Sequence, residues 1–273
     1  MTKVKSSPIL RWPGGKTQLL DEIQRRMPSS FGCMHEPFIG GGALTFALQP
    51  LGGFLSDMNA ELINFYTELK HRPESVIDHL RSFKMSEKFF YKLRAADRDK
   101  NFLSADRSWR AARYLFINRC CFNGMMRVNA AGQLNCSYGQ PNSRASVFNE
   151  DDVYATNEAL RVNRIYQAPY SSVEYCARPG DFVYLDPPYV PVRPGGEIGY
   201  TGNGFSLNDQ GQLAVMCGRL TKKGVYWMLS NSSVNFIKIL YGHYKIHEIT
   251  ARRSISGSAN ARGKTTELLV TNY

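Results

Sequence analysis

The stretch Met34-His35-Glu36-Pro37-Phe38-Ile39-Gly40-Gly41-Gly42-Ala43-Leu44-Thr45-Phe46-Ala47-Leu48 decides the fold. Met34 to Phe38 predicts a strand, the three glycines a tight turn, and the apolar Ala43 to Leu48 a helix. This is the βα unit of a doubly wound α/β sheet. Next, Gly53-Phe54-Leu55-Ser56-Asp57 predicts a second strand. It ends in a carboxylate about fifteen residues beyond the glycines, the place where such folds meet a ribose.

Working outward toward the N-terminus, Ile9-Leu10-Arg11-Trp12 and Pro13-Gly14-Gly15-Lys16 precede Leu19, Leu20, Ile23 and Met27 at helical spacing. The expected order is loop, glycine turn, helix. Toward the C-terminus, Ala60 to Asn118 carries long helical patterns rich in Lys and Arg. Phe65, Leu69, Leu80, Phe83, Phe89, Phe90 and Leu93 are their candidate core positions. Residues 118 to 146 become irregular, and Asn129-Ala130-Ala131-Gly132 predicts a β-hairpin turn, a stretch expected to touch nucleic acid.

Beyond Asn149 a helix is expected, and then strands at Gly180 to Asp186, Val225 to Ser230 and Glu267 to Val270 resume the sheet. Residues 190 to 204, rich in Gly and Pro, and Arg252 to Lys264, rich in Ser, Gly and basic residues, are expected to be loops that stay mobile until substrate arrives.

Composition narrows the class. The 273 residues, 43% of them hydrophobic and 12% aromatic, suffice for a sizeable core. Lys and Arg number 34 against 23 Asp and Glu, a net charge of +11 spread along the chain, which favours a polyanionic partner. The cysteines Cys33, Cys120, Cys121, Cys136, Cys176 and Cys217 show no Cys-x-x-Cys pair, unlike a zinc site or a secreted disulfide framework. His243 and His247 lack the carboxylate pattern of a metalloprotease, so no metal is expected. The polar N-terminus and the lack of a long apolar run indicate neither export nor membrane insertion, and a cytoplasmic location is expected.

Asp186-Pro187-Pro188-Tyr189 follows an apolar strand directly, so it should emerge at the carboxyl end of the sheet, where open α/β folds place their ligands. The tetrapeptide suits an exocyclic amine on a nucleobase. Such an amine is a poor nucleophile because its lone pair is delocalised into the ring, and a catalyst must hold its N–H groups. Asp186 offers a carboxylate acceptor and Pro187 a carbonyl, while the restricted dihedrals of the two prolines fix the turn. Tyr189 offers a stacking face.

Two phosphate-binding readings of the glycines fail on spacing. A dinucleotide fingerprint needs Gly where Thr45 stands, and a P-loop ending at Gly15-Lys16-Thr17 needs Gly where Leu10 stands. The Gly40 to Gly42 turn allows close backbone approach to an adenosyl ligand, and taken alone it equally fits a purely structural turn.

Arg11-Trp12-Pro13-Gly14-Gly15-Lys16, Glu36-Pro37-Phe38-Ile39-Gly40-Gly41-Gly42 and Asp186-Pro187-Pro188-Tyr189, in this order, resemble the Dam-type DNA adenine methyltransferases. The likeness extends to Asp57, to the segment from Asn118-Arg119 through Phe122-Asn123-Gly124 to Arg127-Val128-Asn129, to Leu229-Ser230-Asn231 and to Arg252-Arg253-Ser254-Ile255-Ser256.

The resemblance implies a Rossmann-like S-adenosylmethionine-dependent methyltransferase sheet, formed by residues 1–59 and 148–273. An inserted, mostly helical target recognition domain, residues 60–147, would contain the β-hairpin. It implies methyl transfer from S-adenosylmethionine to the N6 amine of an adenine flipped out of double-stranded DNA, in GATC. Asp186, Pro187 and Tyr189 would be catalytic. Trp12, Lys16, Glu36, Phe38, Gly40, Gly42, Asp57 and Asp186 would bind the cofactor, and Arg11, Arg119, Phe122, Asn123, Met125, Arg127 and Ser137 the DNA.

Arg127 is the main specificity candidate, since a bidentate Arg to guanine is the commonest specific contact in the major groove. Met125 stands where the pattern has Leu, and Cys136-Ser137-Tyr138 replaces Val-Pro followed by an aromatic. Alternatives are a cytosine-N4 or RNA amino methyltransferase, against which Asp186 speaks because cytosine enzymes carry Ser there, and a non-catalytic DNA-binding regulator. The resemblance also fits a bacterial or phage-infected cell and a restriction endonuclease counterpart without stable contact.

Overall fold

The computed structural model describes residues 6–191, 204–252 and 264–273. The expected mobile loops at 190–204 and 252–264 fall almost wholly outside the described residues. The chain divides into two compact units. One comprises Met1–Gly15, Gly40–Gln49 and Asn59–Ile165, the other Lys16–Ile39, Pro50–Met58 and Tyr166–Tyr273.

Helix α1 spans Leu20–Arg25 and α2 Ala43–Leu48. The longer helices of the first unit are α3 (Ala60–His71), α4 (Pro73–Ser82), α5 (Glu87–Ala95), α6 (Arg107–Cys120) and α7 (Glu150–Leu160). Each expected helical stretch is present, and four of these helices start on a capping side chain. Asn59, Ser86, Asp106 and Asn149 accept backbone N–H groups from the first turns of α3, α5, α6 and α7.

Helix α6 is buried nearly all round, as a helix ringed by others must be. Its two buried arginines are therefore committed to protein acceptors. Arg113, 1% exposed, donates to the carbonyls of Leu93 (2.6 Å) and Arg94 (2.9 Å) and pairs with Asp97 at 3.1 Å. Of the expected core positions, Phe65, Leu69, Leu80, Phe83, Phe90 and Leu93 are buried and Phe89 is half-buried.

The second unit is organised by a mixed sheet. The sheet's strands are β1 (Met34–Glu36), β2 (Gly53–Asp57), β3 (Arg164–Gln167, its last two residues in this unit), β4 (Phe182–Leu185), β5 (Tyr226–Ser232), β6 (Lys245–Arg252) and β7 (Lys264–Thr271), in the order β3-β2-β1-β4-β5-β7-β6. Strands β1, β2, β4 and β5 run parallel, while β7 is antiparallel to both β5 and β6. All four residues of β4 are buried, the signature of a strand covered on both faces.

Val183, Leu185, Trp227 and Leu229 pack with Leu213, Met216 and Cys217 of α9 (Leu207–Lys222) and with Ile237 of α10 (Asn235–Leu240). The short α8 (Val173–Cys176) adds Val173 to the same core. Ser206 and Asp209 close a capping box at the start of α9. Because the four central strands are parallel, the residues that end them share one edge: Glu36, Asp57, Asp186 just beyond Leu185, and Ser232.

Candidate active site

At that carboxyl edge the first residue past β4 is Asp186, whose side chain is 21% exposed. Its Oδ1 lies 2.9 Å from Nζ of Lys16, which is itself buried. The contact is an ion pair, and a carboxylate oxygen so held keeps a lone pair for a further donor. Burial raises the Asp186 carboxyl above the ordinary carboxylate range, and the Lys16 charge pulls it back down.

Tyr189 lies over the same ammonium, with its ring centroid 4.6 Å from Lys16 Nζ. Its hydroxyl donates to Glu267 Oε2 at 2.7 Å. Burial, with Asp186 and Glu267 nearby, holds the phenol well above its ordinary value, so Tyr189 stays neutral. Glu267 escaped the sequence reading because the strand that carries it, β7, reaches this place only through its pairing beside β5, where Glu267 faces Ser232.

The backbone of the turn is held by side chains that sequence reasoning also missed. Gln210, on α9, donates from Nε2 to the Pro188 carbonyl at 2.9 Å. Asn231 donates to Gln210 Oε1 at 3.0 Å and accepts the Val190 N–H at 3.3 Å. Ser232 donates to the Val190 carbonyl at 2.7 Å. Only the run Leu229-Ser230-Asn231 had drawn notice, as part of a resemblance.

Elsewhere on the edge of the second unit, Glu36 is buried and ends β1, while Asp57 is half-buried and ends β2. Phe38 stacks on Tyr170 with ring centroids 5.3 Å apart and meets Phe205 edge-on at 6.0 Å.

In the first unit, Trp12 packs directly onto the glycine turn. A Cβ at Gly40 would come within 2.6 Å of Trp12 Nε1, and one at Gly41 within 2.8 Å of Trp12 Cβ. Gly40 and Gly42 also hold φ values of +45° and +68°, a region that disfavours side chains. Tyr66 donates its hydroxyl to the Gly40 carbonyl at 2.8 Å, which fixes the turn from below.

The residues expected to meet DNA also lie in the first unit. Arg11 is exposed, and its backbone is clasped by Asn118, which accepts the Arg11 N–H at 2.8 Å and donates to its carbonyl at 2.9 Å. Phe122, Asn123, Arg127 and Ser137 are exposed and Met125 is half-buried. Phe122 N–H donates to the Ser137 carbonyl at 2.9 Å, joining the two limbs of this segment. Arg119 differs from these. Its guanidinium is half-buried and donates to the carbonyls of Ser146 (3.0 Å) and Ile9 (3.3 Å).

The chain reverses at Asn129–Gly132, where Gly132 N–H donates to the Asn129 carbonyl at 2.9 Å and Gly132 takes a φ of +75°. Beyond the turn the limbs are joined by two isolated antiparallel bridges, Val128 to Leu134 and Cys121 to Tyr138, not by continuous strands. The returning limb is tied to the end of α5 and the residues after it. Asp97 accepts the Leu134 N–H at 2.7 Å, Arg98 donates to the Leu134 carbonyl at 3.2 Å, and Arg94 to that of Cys136 at 2.8 Å.

A mixed α/β sheet with a lysine-paired aspartate at its carboxyl edge places the chain in the open-sheet class, which meets ligands at that edge. Among the described residues no helix is long and apolar enough to cross a membrane, and no cluster of His, Cys, Asp or Glu is arranged to hold a metal. The pattern of the D12 class N6 adenine-specific DNA methyltransferases matches residues 12–255.

Over 99% of its length the chain is 39% identical to the type II methyltransferase M1.LlaDCHI of Lactococcus lactis subsp. cremoris, 97% of which is covered. It is 33% identical to the type II methyltransferase M.MjaIII of Methanocaldococcus jannaschii, with 97% of this chain and 99% of that protein covered. It is 30% identical to the DNA adenine methylase of Escherichia coli strain K12, with 97% and 95% covered. The chain belongs to the D12 class of N6 adenine-specific DNA methyltransferases and is an adenine-specific DNA methyltransferase. The cytosine, RNA and non-catalytic alternatives give way to that membership.

Proposed function

We propose that this enzyme methylates the adenine of GATC in duplex DNA, with S-adenosylmethionine as donor and the turn Asp186-Pro187-Pro188-Tyr189 as its catalytic centre. The observation that carries the reading is the pairing of Asp186 with Lys16 at the carboxyl edge of the sheet, with Oδ1 still able to accept a hydrogen bond. In this reading residues 60–147 form the target recognition domain inserted into a Rossmann-like catalytic domain of residues 1–59 and 148–273.

The residues fit the cofactor. Lys16, Glu36, Phe38, Asp57 and Asp186 present two buried or half-buried acids, an aromatic face and a buried ion pair at strand ends. Trp12, Gly40 and Gly42 present an indole packed on a turn without side chains. S-adenosylmethionine, when bound, supplies a methyl group already activated by its sulfonium.

The protein's task is to make the amine nucleophilic. Asp186 and the Pro187 carbonyl each accept one N6–H, which localises the nitrogen lone pair toward the incoming methyl. The neutral Tyr189 ring stacks on the flipped base, an interaction worth about 1–3 kcal/mol. Asp186, raised by burial, holds the proton that N6 sheds before it passes to solvent.

The GATC target is supported by the likeness of Phe122 to Ser137 to GATC-methylating members and by the exposure of Arg127, Phe122 and Asn123. Arg11, Met125 and Ser137 flank them as contacts, and Arg119 supports the segment through its carbonyl bonds. The experiment is incubation with labelled S-adenosylmethionine and unmodified duplex DNA, followed by sequencing of methylated positions. N6-methyladenine confined to GATC, and lost in Asp186→Ala with DNA binding retained, is the expected result. Methylation of adenines outside GATC would overturn the site assignment.

A further inference from the structure

The turn that carries Asp186 contains carbonyls that could compete for the amine. Pro187 and Pro188 both lack an N–H, so neither carbonyl is matched by a donor on its own residue. The structure treats the two differently. The Pro188 carbonyl is taken by Gln210 at 2.9 Å, whereas the Pro187 carbonyl has no hydrogen-bond partner among the described residues.

Gln210 is 1% exposed and Asn231 is fully buried, so both amides sit inside the protein although Pro188 itself is exposed. Their direction is also set. Asn231 Nδ2 donates to Gln210 Oε1 at 3.0 Å, which leaves Gln210 Nε2 as the donor to Pro188. Asn231 Oδ1 is in turn occupied by the N–H groups of Val190 (3.3 Å) and Ser232 (2.9 Å), which fixes the amide's orientation. Two buried amides in series therefore connect β5 and α9 to both ends of the segment Pro188–Val190.

We infer that Gln210 and Asn231 are positioning residues for catalysis. By occupying the Pro188 carbonyl and anchoring Val190 they present the Pro187 carbonyl, beside the Asp186 carboxylate, as the second acceptor for the target amine. The inference rests on the proposed role of Asp186 and Pro187. A misplacement of reacting groups by about 1 Å costs on the order of 10²-fold in rate, so the amide chain is expected to control the chemical step more than binding.

The test uses the full-length enzyme with duplex DNA and S-adenosylmethionine, and compares wild type, Gln210→Leu, Gln210→Glu and Asp186→Asn. Gln210→Leu is expected to lower the single-turnover rate by about 10- to 100-fold, with dissociation constants for DNA and S-adenosylmethionine changed less than about threefold. Gln210→Glu supplies a readout that a merely structural role would not move. A protonated carboxyl at this position still donates to Pro188, and an ionised one repels that carbonyl. Its rate is expected to approach wild type at low pH and fall as pH rises, an alkaline limb that wild type lacks.

A wild-type rate in Gln210→Leu, or a Gln210→Glu profile without the new limb, overturns the inference. If Gln210→Leu fails to fold, the Gln210→Glu profile alone decides it. Full turnover by Asp186→Asn would instead sink the underlying assignment of the catalytic turn. An inactive Asp186→Asn beside a fully active Gln210→Leu would remove only the role of Gln210.

Discussion

Lys16 and Asp186 form an ion pair at 2.9 Å that joins the first residue after the N-terminal glycine turn to the first residue after β4. Burial raises the Asp186 carboxyl, and Lys16 is the largest influence acting the other way. In the proposed mechanism a protonated Asp186 is a weaker acceptor for the amine, so activity is expected to fall on the acid side. Lys16→Met removes the lowering charge and lets the Asp186 pKa rise further. The acid limb of the kcat/KM profile is then expected to move to higher pH, with a plateau lower by roughly 10- to 100-fold. An unmoved limb would show that Lys16 does not set the ionisation of Asp186.

Arg127 is exposed on the outgoing limb of the chain reversal, and among the described residues its guanidinium makes a single hydrogen bond, to Met125 Sδ at 3.7 Å. A guanidinium with so little protein to hold it is free to meet a base edge. Arg127→Ala is expected to cost about 1–3 kcal/mol of discrimination at one base pair, read as relative kcat/KM on duplexes substituted position by position. Selectivity unchanged at every position would return Arg127 to an ordinary surface role. DNA affinity of the wild type should also fall steeply with added salt, because phosphate contacts release counterions.

The helices, β1, β2, β4 and the turn after β4 were legible because their signals are local: apolar periodicity, capping residues, three glycines, and Asp-Pro-Pro after an apolar run. Asn129–Gly132 was legible for the same reason, since a turn is written in its own residues. The place of β7 between β5 and β6 was not, because strand pairing is decided by contacts distant in sequence. Every residue that buttresses the turn shares this property. Gln210, Asn231 and Glu267 look like ordinary helix and strand positions until the sheet brings them to Pro188, Val190 and Tyr189. Arg119, which the resemblance implies for DNA, donates its guanidinium to the carbonyls of Ser146 and Ile9, a placement its own sequence surroundings do not signal.

Asp97 links the returning limb, proposed above to meet DNA, to the core of the first unit. It pairs with the buried Arg113 at 3.1 Å and accepts the Leu134 N–H at 2.7 Å, so one carboxylate serves both α6 and the returning limb. Burial already presses the Arg113 pKa downward, and Asp97 is the main force supporting its charge. Asp97→Ala leaves that charge without its carboxylate. The expected loss is about 3 kcal/mol, the low end for a broken buried pair because Arg113 keeps its bonds to Leu93 and Arg94. Urea unfolding measures it, and discrimination between related DNA sites should weaken in parallel. A loss below about 1 kcal/mol would place this pair among ordinary surface ion pairs.

His35 and Asp181 carry the pH dependence of the second unit. Their side chains meet at 3.0 Å, with His35 on β1 stacked against Phe54 and Asp181 just before β4 accepting the N–H groups of Cys33 and Arg178. Burial depresses the imidazole below its ordinary 6.5 despite the attraction of Asp181. Burial would raise Asp181, but the bonds from Arg178, His35 and Cys33 outweigh it and hold the carboxyl below 3.8. Both shifts act in one direction. A folded-state pKa below the unfolded value means the unfolded chain binds protons first, so stability is complete above about pH 6.5 and declines as pH falls through the interval below it. Asp181 adds a second decline below about pH 4. The thermal midpoint should therefore drop between about pH 7 and pH 5, and His35→Phe should abolish that first decline while leaving the second. A midpoint that falls equally in wild type and His35→Phe over this range would assign the effect to other groups.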